Sequence, residues 1–171
     1  MFIAHLPAGY LLSKAIQKKF NNSKYLWLGL LGSVFPDLDL FYFYLINKRQ
    51  TAHHEYWSHI PFLWLLIGAL TFLAIKISKK DNWNLPAILF FVGIFSHMVL
   101  DSIAAPIHWL YPFYTQDFQL IDVPSVYSWW VLNFILHWSF LLEIAICALA
   151  GFVFIKELRC WKLKNHISNF R

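Results

Sequence analysis

Charge is scarce in this chain. Of its 171 residues only 13% are Asp, Glu, Lys or Arg, while 59% are hydrophobic and 20% aromatic. A soluble globular domain carries about a quarter of its residues charged, so this shortage excludes an ordinary soluble fold. It implies an all-α, polytopic helical bundle embedded in a membrane, with residues 1–171 as a single domain. Cysteine is nearly absent. Cys147 in an apolar run and Cys160 in the basic tail are too few and too far apart for a disulfide framework or a cysteine metal site. There is no internal repeat, low-complexity tract, domain-separating linker or Gly-rich phosphate loop. Met1 to Gln17 lack the basic start and long apolar run of a cleavable signal peptide and read as mature protein.

Basic residues are missing from one long stretch, and that gap gives an orientation. No Lys or Arg occurs from Asp81 through Ile155, whereas Lys76, Lys79 and Lys80 precede it and Lys156, Arg159, Lys162 and Lys164 follow it. The positive-inside rule puts both clusters, and with them the C-terminus, in the cytoplasm. Lys14, Lys18, Lys19 and Lys24 place the start of the first long apolar segment there too, leaving residues 47–59 and 106–126 outside. Lys48 and Arg49 are the one dissent. The formal charge of +5 thus follows membrane topology. The clusters are short, with no recognition helix or aromatic stacking platform beside them, which argues against a nucleic-acid partner.

A transmembrane helix needs about 20 mostly apolar residues, and segments of that order recur. Residues 5–20 predict a short amphipathic helix that need not span. Residues 25–46 form a long apolar segment interrupted by Pro36, Asp37 and Asp39, where a kink or break is expected. Such a break is tolerated at membrane depth only where it is buried in protein or lines a wet cavity. Residues 60–77 and 85–105 predict two spans, and the last lies within 127–155. The expectation is about four transmembrane helices plus the short one, in the inner or plasma membrane.

Ionisable side chains in such a setting are costly and mark function. His97 and Asp101 lie four apart on a helical segment, so both reach one face and could share a cation; a His–Asp pair tying two helices together is the alternative. Asp37 and Asp39 flank the break and would be expensive unpaired, so they serve either a cation or the cap of the next helix. His53, His54 and His59 fall within seven residues just before a span, a density that favours a metal over interface placement. Tyr56 and Trp57 beside them read as interfacial anchors. His5, His108, His137 and Glu143 are less specific and read as core groups or as supports behind the ligands, and His137 and Glu143, six apart, do not share a helix face. His166 reads as a solvated or headgroup-facing residue. Counted from the cytoplasmic ends, the three main motifs converge near the outer face.

The strings FPDLDLFYF, HHEYWSHIP and SHMVLDSIAAPIHWLYPF, with His5 and Gly9 before them, resemble the membrane-bound metal-dependent hydrolases of the LexA-binding, inner-membrane-associated hydrolase family, over residues 3 to 113. The resemblance implies Asp37, His54, His59, His97 and Asp101 as metal ligands, with His5 and Asp39 as adjacent candidates. Glu55 stands where many relatives place Arg. LexA in the family's name describes control of expression in some members and implies no DNA binding. The order of motifs is also similar, more weakly, to the zinc-dependent phospholipase C and single-strand nuclease superfamily.

The function expected is hydrolysis of an ester, foremost a phosphoester on a membrane lipid or lipid-linked molecule, by metal-activated water. The divalent metal expected is zinc, with manganese or iron as alternatives. Asp37, His54, His97 and Asp101 would hold one or two ions, His59 would complete a shell or orient water, and Asp39 would take its proton. The rival from another class is a metal or proton pathway, which needs ligands spread across the bilayer; only His137 and Glu143 extend inward. A regulatory scaffold carrying a metal site is a third reading.

Overall fold

In a bundle whose helices are apolar on most sides, small and polar residues decide which faces meet, because they let backbones approach closely. The computed structural model describes residues 1, 3–48 and 53–168, and the side chains of His53 and of residues 164–168 lie outside the described set. Arg49, His53 and His166, all weighed above, are therefore not placed. Helix α1 (His5–Lys19) buries His5, Gly9, Ser13 and Gln17, one residue in every four, which makes a single stripe along the helix. Helix α2 (Leu26–Val34) meets it with Gly29, Gly32 and Ser33. Helix α5 (Asn84–Ala104) adds the stripe Leu89, Gly93, His97 and Asp101. The approach of α2 and α5 requires glycine, since a methyl group on Gly93 would sit 2.5 Å from the Gly29 carbonyl oxygen and 2.7 Å from the Ser33 nitrogen.

Helix α4 (Pro61–Ile77) packs on this core through Trp64, which joins Phe91, Ile94 and Met98 in an apolar cluster. Its other faces leave Leu65, Leu66, Leu70 and Leu73 exposed. Helix α7 (Phe140–Ser168) lies against α1 and likewise exposes Leu141, Leu149, Phe152 and Ile155. Small and polar inside with large apolar outside is the arrangement of helices that face lipid.

The described residues hold seven α-helices and no strand, only an isolated bridge between Ile107 and Phe118. The expected break is present: α2 stops at Val34, a 3₁₀ turn covers Pro36–Leu38, and α3 (Asp39–Leu45) leaves at a bend of 53°. The expectation of about four transmembrane helices is corrected. Among the described residues only Asp81–Ala104 is long and apolar enough to cross a membrane, or up to two helices if the bent α2–α3 pair is one span. Helix α4 is apolar but has 17 residues, about 26 Å of helix, against a hydrocarbon core of about 30 Å. The last segment is divided between a short α6 (Trp130–Ile135) and α7, which begins at Phe140 and runs past the basic residues. Only Ile144 to Ile155, twelve residues, separate Glu143 from Lys156, too short an apolar stretch to span alone.

Candidate metal centre

Each candidate ligand sits where its local sequence fixes the side chain. His97 and Asp101 are one turn apart and continue the buried stripe of α5, at 0% and 2% exposure. The last carbonyls of a helix lack intrahelical donors, and near the end of α2 the Ser33 carbonyl accepts a hydrogen bond from His97 Nδ1 at 2.8 Å. A carbonyl only accepts, so Nδ1 carries the proton and the Nε2 lone pair faces the site. His59 ends a 3₁₀ turn (Trp57–His59), after which Pro61 opens α4 and holds Ile60 extended at φ −96°, ψ 105°. Trp64 Nε1 donates to the Ser58 carbonyl at 2.8 Å and fastens that turn to α4. Asp39 Oδ2 accepts from His59 Nδ1 at 2.8 Å and from Ser58 Oγ at 2.6 Å, which turns His59 Nε2 toward His97 and Asp101.

The ligand atoms then meet at one end of the bundle. Three overlapping groups could hold a metal ion, the atoms of each lying within 4.8 Å of one another: His5, His97 and Asp101; Asp37, His59 and His97; His54, His59 and Asp101. All six residues expected as metal ligands are thus close together, although they come from α1, the turn after α2, the two turns before α4, and α5. Asp101 is central. Its Oδ2 lies 2.9 Å from His97 Nε2, 3.7 Å from His59 Nε2 and 3.8 Å from His54 Nε2. Its Oδ1 lies 3.2 Å from His5 Nε2 and 2.7 Å from the α-amino group of Met1. Asp37 Oδ1 is 3.5 Å from His97 Nε2 and 3.9 Å from His59 Nε2.

A cation fits this donor set. His97 Nε2 and Asp101 Oδ2 are buried and face each other at 2.9 Å, with no further hydrogen-bond partner among the described residues. With Nδ1 protonated toward Ser33, these two facing atoms are satisfied by a proton or a cation held between them, and leaving them unsatisfied costs about 1–3 kcal/mol each. Imidazole nitrogens with carboxylate oxygens suit zinc, manganese or iron.

Other candidates lie apart from these groups. Asp39, expected to take a proton, belongs to none of them and stands behind the His59 ring. His108 is in none either, and its buried Nδ1 makes no hydrogen bond to a described residue. His137 Nδ1 pairs with Ser139 Oγ at 2.8 Å. Glu143 has a role the spacing argument could not reveal: buried on α7, it accepts hydrogen bonds from the amides of Ile3 at 2.5 Å and Ala4 at 3.2 Å. Ala4 offers no side-chain cap to α1, so a carboxylate from 139 residues away supplies one just before His5. The signal in the sequence was a lone carboxylate inside an apolar run.

Beside the metal-binding groups opens a cavity of about 560 Å³. Asp37, His54 and Asp101 line one part of it, and Leu40, Phe43, Trp130 and Phe134 another. Polar reactive groups facing an apolar, aromatic wall suit an amphipathic ligand.

Fold and site together define an all-helical membrane protein with a candidate His/Asp metal centre. Residues 1–161 match the family model described as YdjM inner membrane protein, and the chain belongs to that family. This is the inner-membrane family whose motifs the sequence resembles. No curated protein and no solved structure matches the chain.

Proposed function

We propose that this protein is a membrane-embedded, metal-dependent hydrolase acting on a phosphoester or other ester of a lipid or lipid-linked molecule. The observation that carries the proposal is the meeting of six His and Asp side chains beside an aromatic-walled cavity. When bound, a divalent ion, zinc foremost, lowers the pKa of water to about 7 and neutralises charge on a phosphoryl or carbonyl oxygen. His59 and His97 are held for that role by Asp39 and by the Ser33 carbonyl. Asp37, whose side chain is 32% exposed, opens onto the cavity and is the carboxylate placed to accept a proton from attacking water. Asp39 acts as a positioning residue through His59. The cavity lining includes no Lys or Arg among its described residues, so neutralising a phosphoryl group falls to the cation. The basic clusters lie toward the opposite helix ends, which supports a site near the outer face and a cytoplasmic C-terminus.

A conduit is less well supported, because Glu143 is engaged by backbone amides and His137 by Ser139 instead of continuing a path inward. The test uses the full chain in detergent with lipid phosphoesters and carboxylic esters, with and without chelator. Chelator-sensitive turnover that falls by about 100-fold or more in Asp37→Ala is expected. Metal content should vanish in the protein carrying both His97→Ala and Asp101→Ala. Turnover that survives chelation and Asp37→Ala, or unchanged metal in the double variant, removes the proposal.

A further inference from the structure

We infer that the centre holds two cations bridged by Asp101, with His5 serving the second; this rests on the metal-site reading above. Six side chains converge, whereas a structural zinc ion takes about four ligands and a catalytic one about three from the protein. One such ion cannot use them all.

Ring orientation separates them. The His5 and His97 rings are stacked, with centroids 3.8 Å apart and planes inclined by 19°. Imidazole binds a cation along a nitrogen lone pair, which lies in the ring plane, at about 2.1 Å. The planes of two nearly parallel stacked rings do not meet within that distance. An ion in line with His97 is therefore out of line with His5, so the His5, His97 and Asp101 group, although its atoms lie within 4.8 Å of one another, closes on one ion only if one ring turns. The other pairs behave differently. His59 and His97 are 5.4 Å apart at 58°, and His54 and His59 are 5.0 Å apart at 79°. Crossed planes intersect, so one ion can lie in both.

The oxygens of Asp101 divide the same way. Oδ2 faces His97, His59 and His54, whereas Oδ1 faces His5. His5 Nε2 donates to the Met1 carbonyl oxygen at 3.1 Å and lies 3.2 Å from Oδ1; for it to bind a cation its proton must leave or move to Nδ1, which is buried and makes no hydrogen bond to a described residue. Neighbouring ligand atoms around a tetrahedral zinc ion are about 3.3 Å apart, so these separations suit a shared ion. The first ion is assigned to His59, His97 and Asp101 Oδ2, with His54 on the cavity side and Asp37 beside it as the proton acceptor. The second is assigned to His5 and Asp101 Oδ1, where it takes the place of the Met1 α-amino group. Two ions about 3.5–4 Å apart across a carboxylate can clamp the attacking and leaving oxygens of a displacement. With fewer side-chain ligands, the second ion binds more weakly and keeps positions open for substrate.

The test is zinc stoichiometry of the full chain in detergent, by equilibrium dialysis and elemental analysis, with electron paramagnetic resonance of the manganese-loaded protein. The wild type should bind two ions per chain, the second more weakly, and manganese should give an exchange-coupled spectrum. His5→Ala should bind one ion and give the spectrum of an isolated ion. His5→Gln, which keeps a polar side chain, takes its place if the alanine variant does not remain monodisperse. One ion in the wild type, two in the His5 variants, or loss of both in those variants overturns the two-ion assignment and leaves the hydrolase proposal standing. No zinc bound by the wild type beyond the His97→Ala, Asp101→Ala background removes both.

Discussion

The Asp39 carboxylate shows how a single residue can serve a site without entering it. Held by Ser58 Oγ and His59 Nδ1, it fixes the ring and raises the basicity of the nitrogen that faces His97 and Asp101. Asp39→Asn keeps the size of the side chain and one acceptor oxygen but loses the charge. We expect it to weaken zinc binding by about 10–100-fold while leaving the helical content unchanged, read by competition with a chromophoric chelator and by circular dichroism. Wild-type affinity in Asp39→Asn would assign the pair a purely structural role. No substitution can remove the matching restraint on His97, because its partner is the backbone carbonyl of Ser33.

Among the elements, α7 and the α2–α5 contact decide whether the site assembles. Glu143 ties α7 to the start of α1, and Lys14 with Glu157, 2.6 Å apart, joins the same two helices farther along. Hydrogen bonds to a buried charged group are worth about 1.5–3 kcal/mol, so Glu143→Leu should lower stability by that order and also loosen His5. Glu143→Gln, which keeps an acceptor oxygen, should recover most of it; thermal melting in detergent distinguishes them. At the other contact, a side chain at Gly93 meets the backbone of α2, which cannot swing aside. Gly93→Val should cost about 1–3 kcal/mol or more and reduce zinc binding, because separating α2 from α5 also separates Ser33 from His97. Gly151→Val is the control, since nothing lies within 4 Å of a methyl group there, and a change of under about 0.5 kcal/mol is expected.

For the whole molecule, the placement of the site at one end of the bundle and of Lys18, Lys19, Lys76 and Lys156 toward the other makes orientation testable. A membrane-impermeant maleimide should label exposed Cys160 only from the cytoplasmic side, and a cysteine introduced by Gln116→Cys, in the exposed loop beyond α5, only from the outer side. The reverse pattern would turn the site to the cytoplasm.

The sequence by itself determined the all-helical membrane class and the break at Pro36 and singled out the motifs that hold Asp37, His54, His59, His97 and Asp101, because each follows from local chemistry: apolar length, a missing backbone donor, and carboxylates and imidazoles too costly to bury without partners; His5 joined them only through the family resemblance. It overstated the number of spanning helices, since apolar runs do not show where a turn at 136–139 cuts a helix or where a basic residue shortens its apolar stretch. Only the tertiary structure decided that Asp39 stands behind His59, that Glu143 caps α1, and that His5 stacks on His97. Those contacts join residues 20 to 140 positions apart in the chain. They depend on which helix faces meet, a choice made by Gly29, Gly32 and Gly93 through close backbone approach.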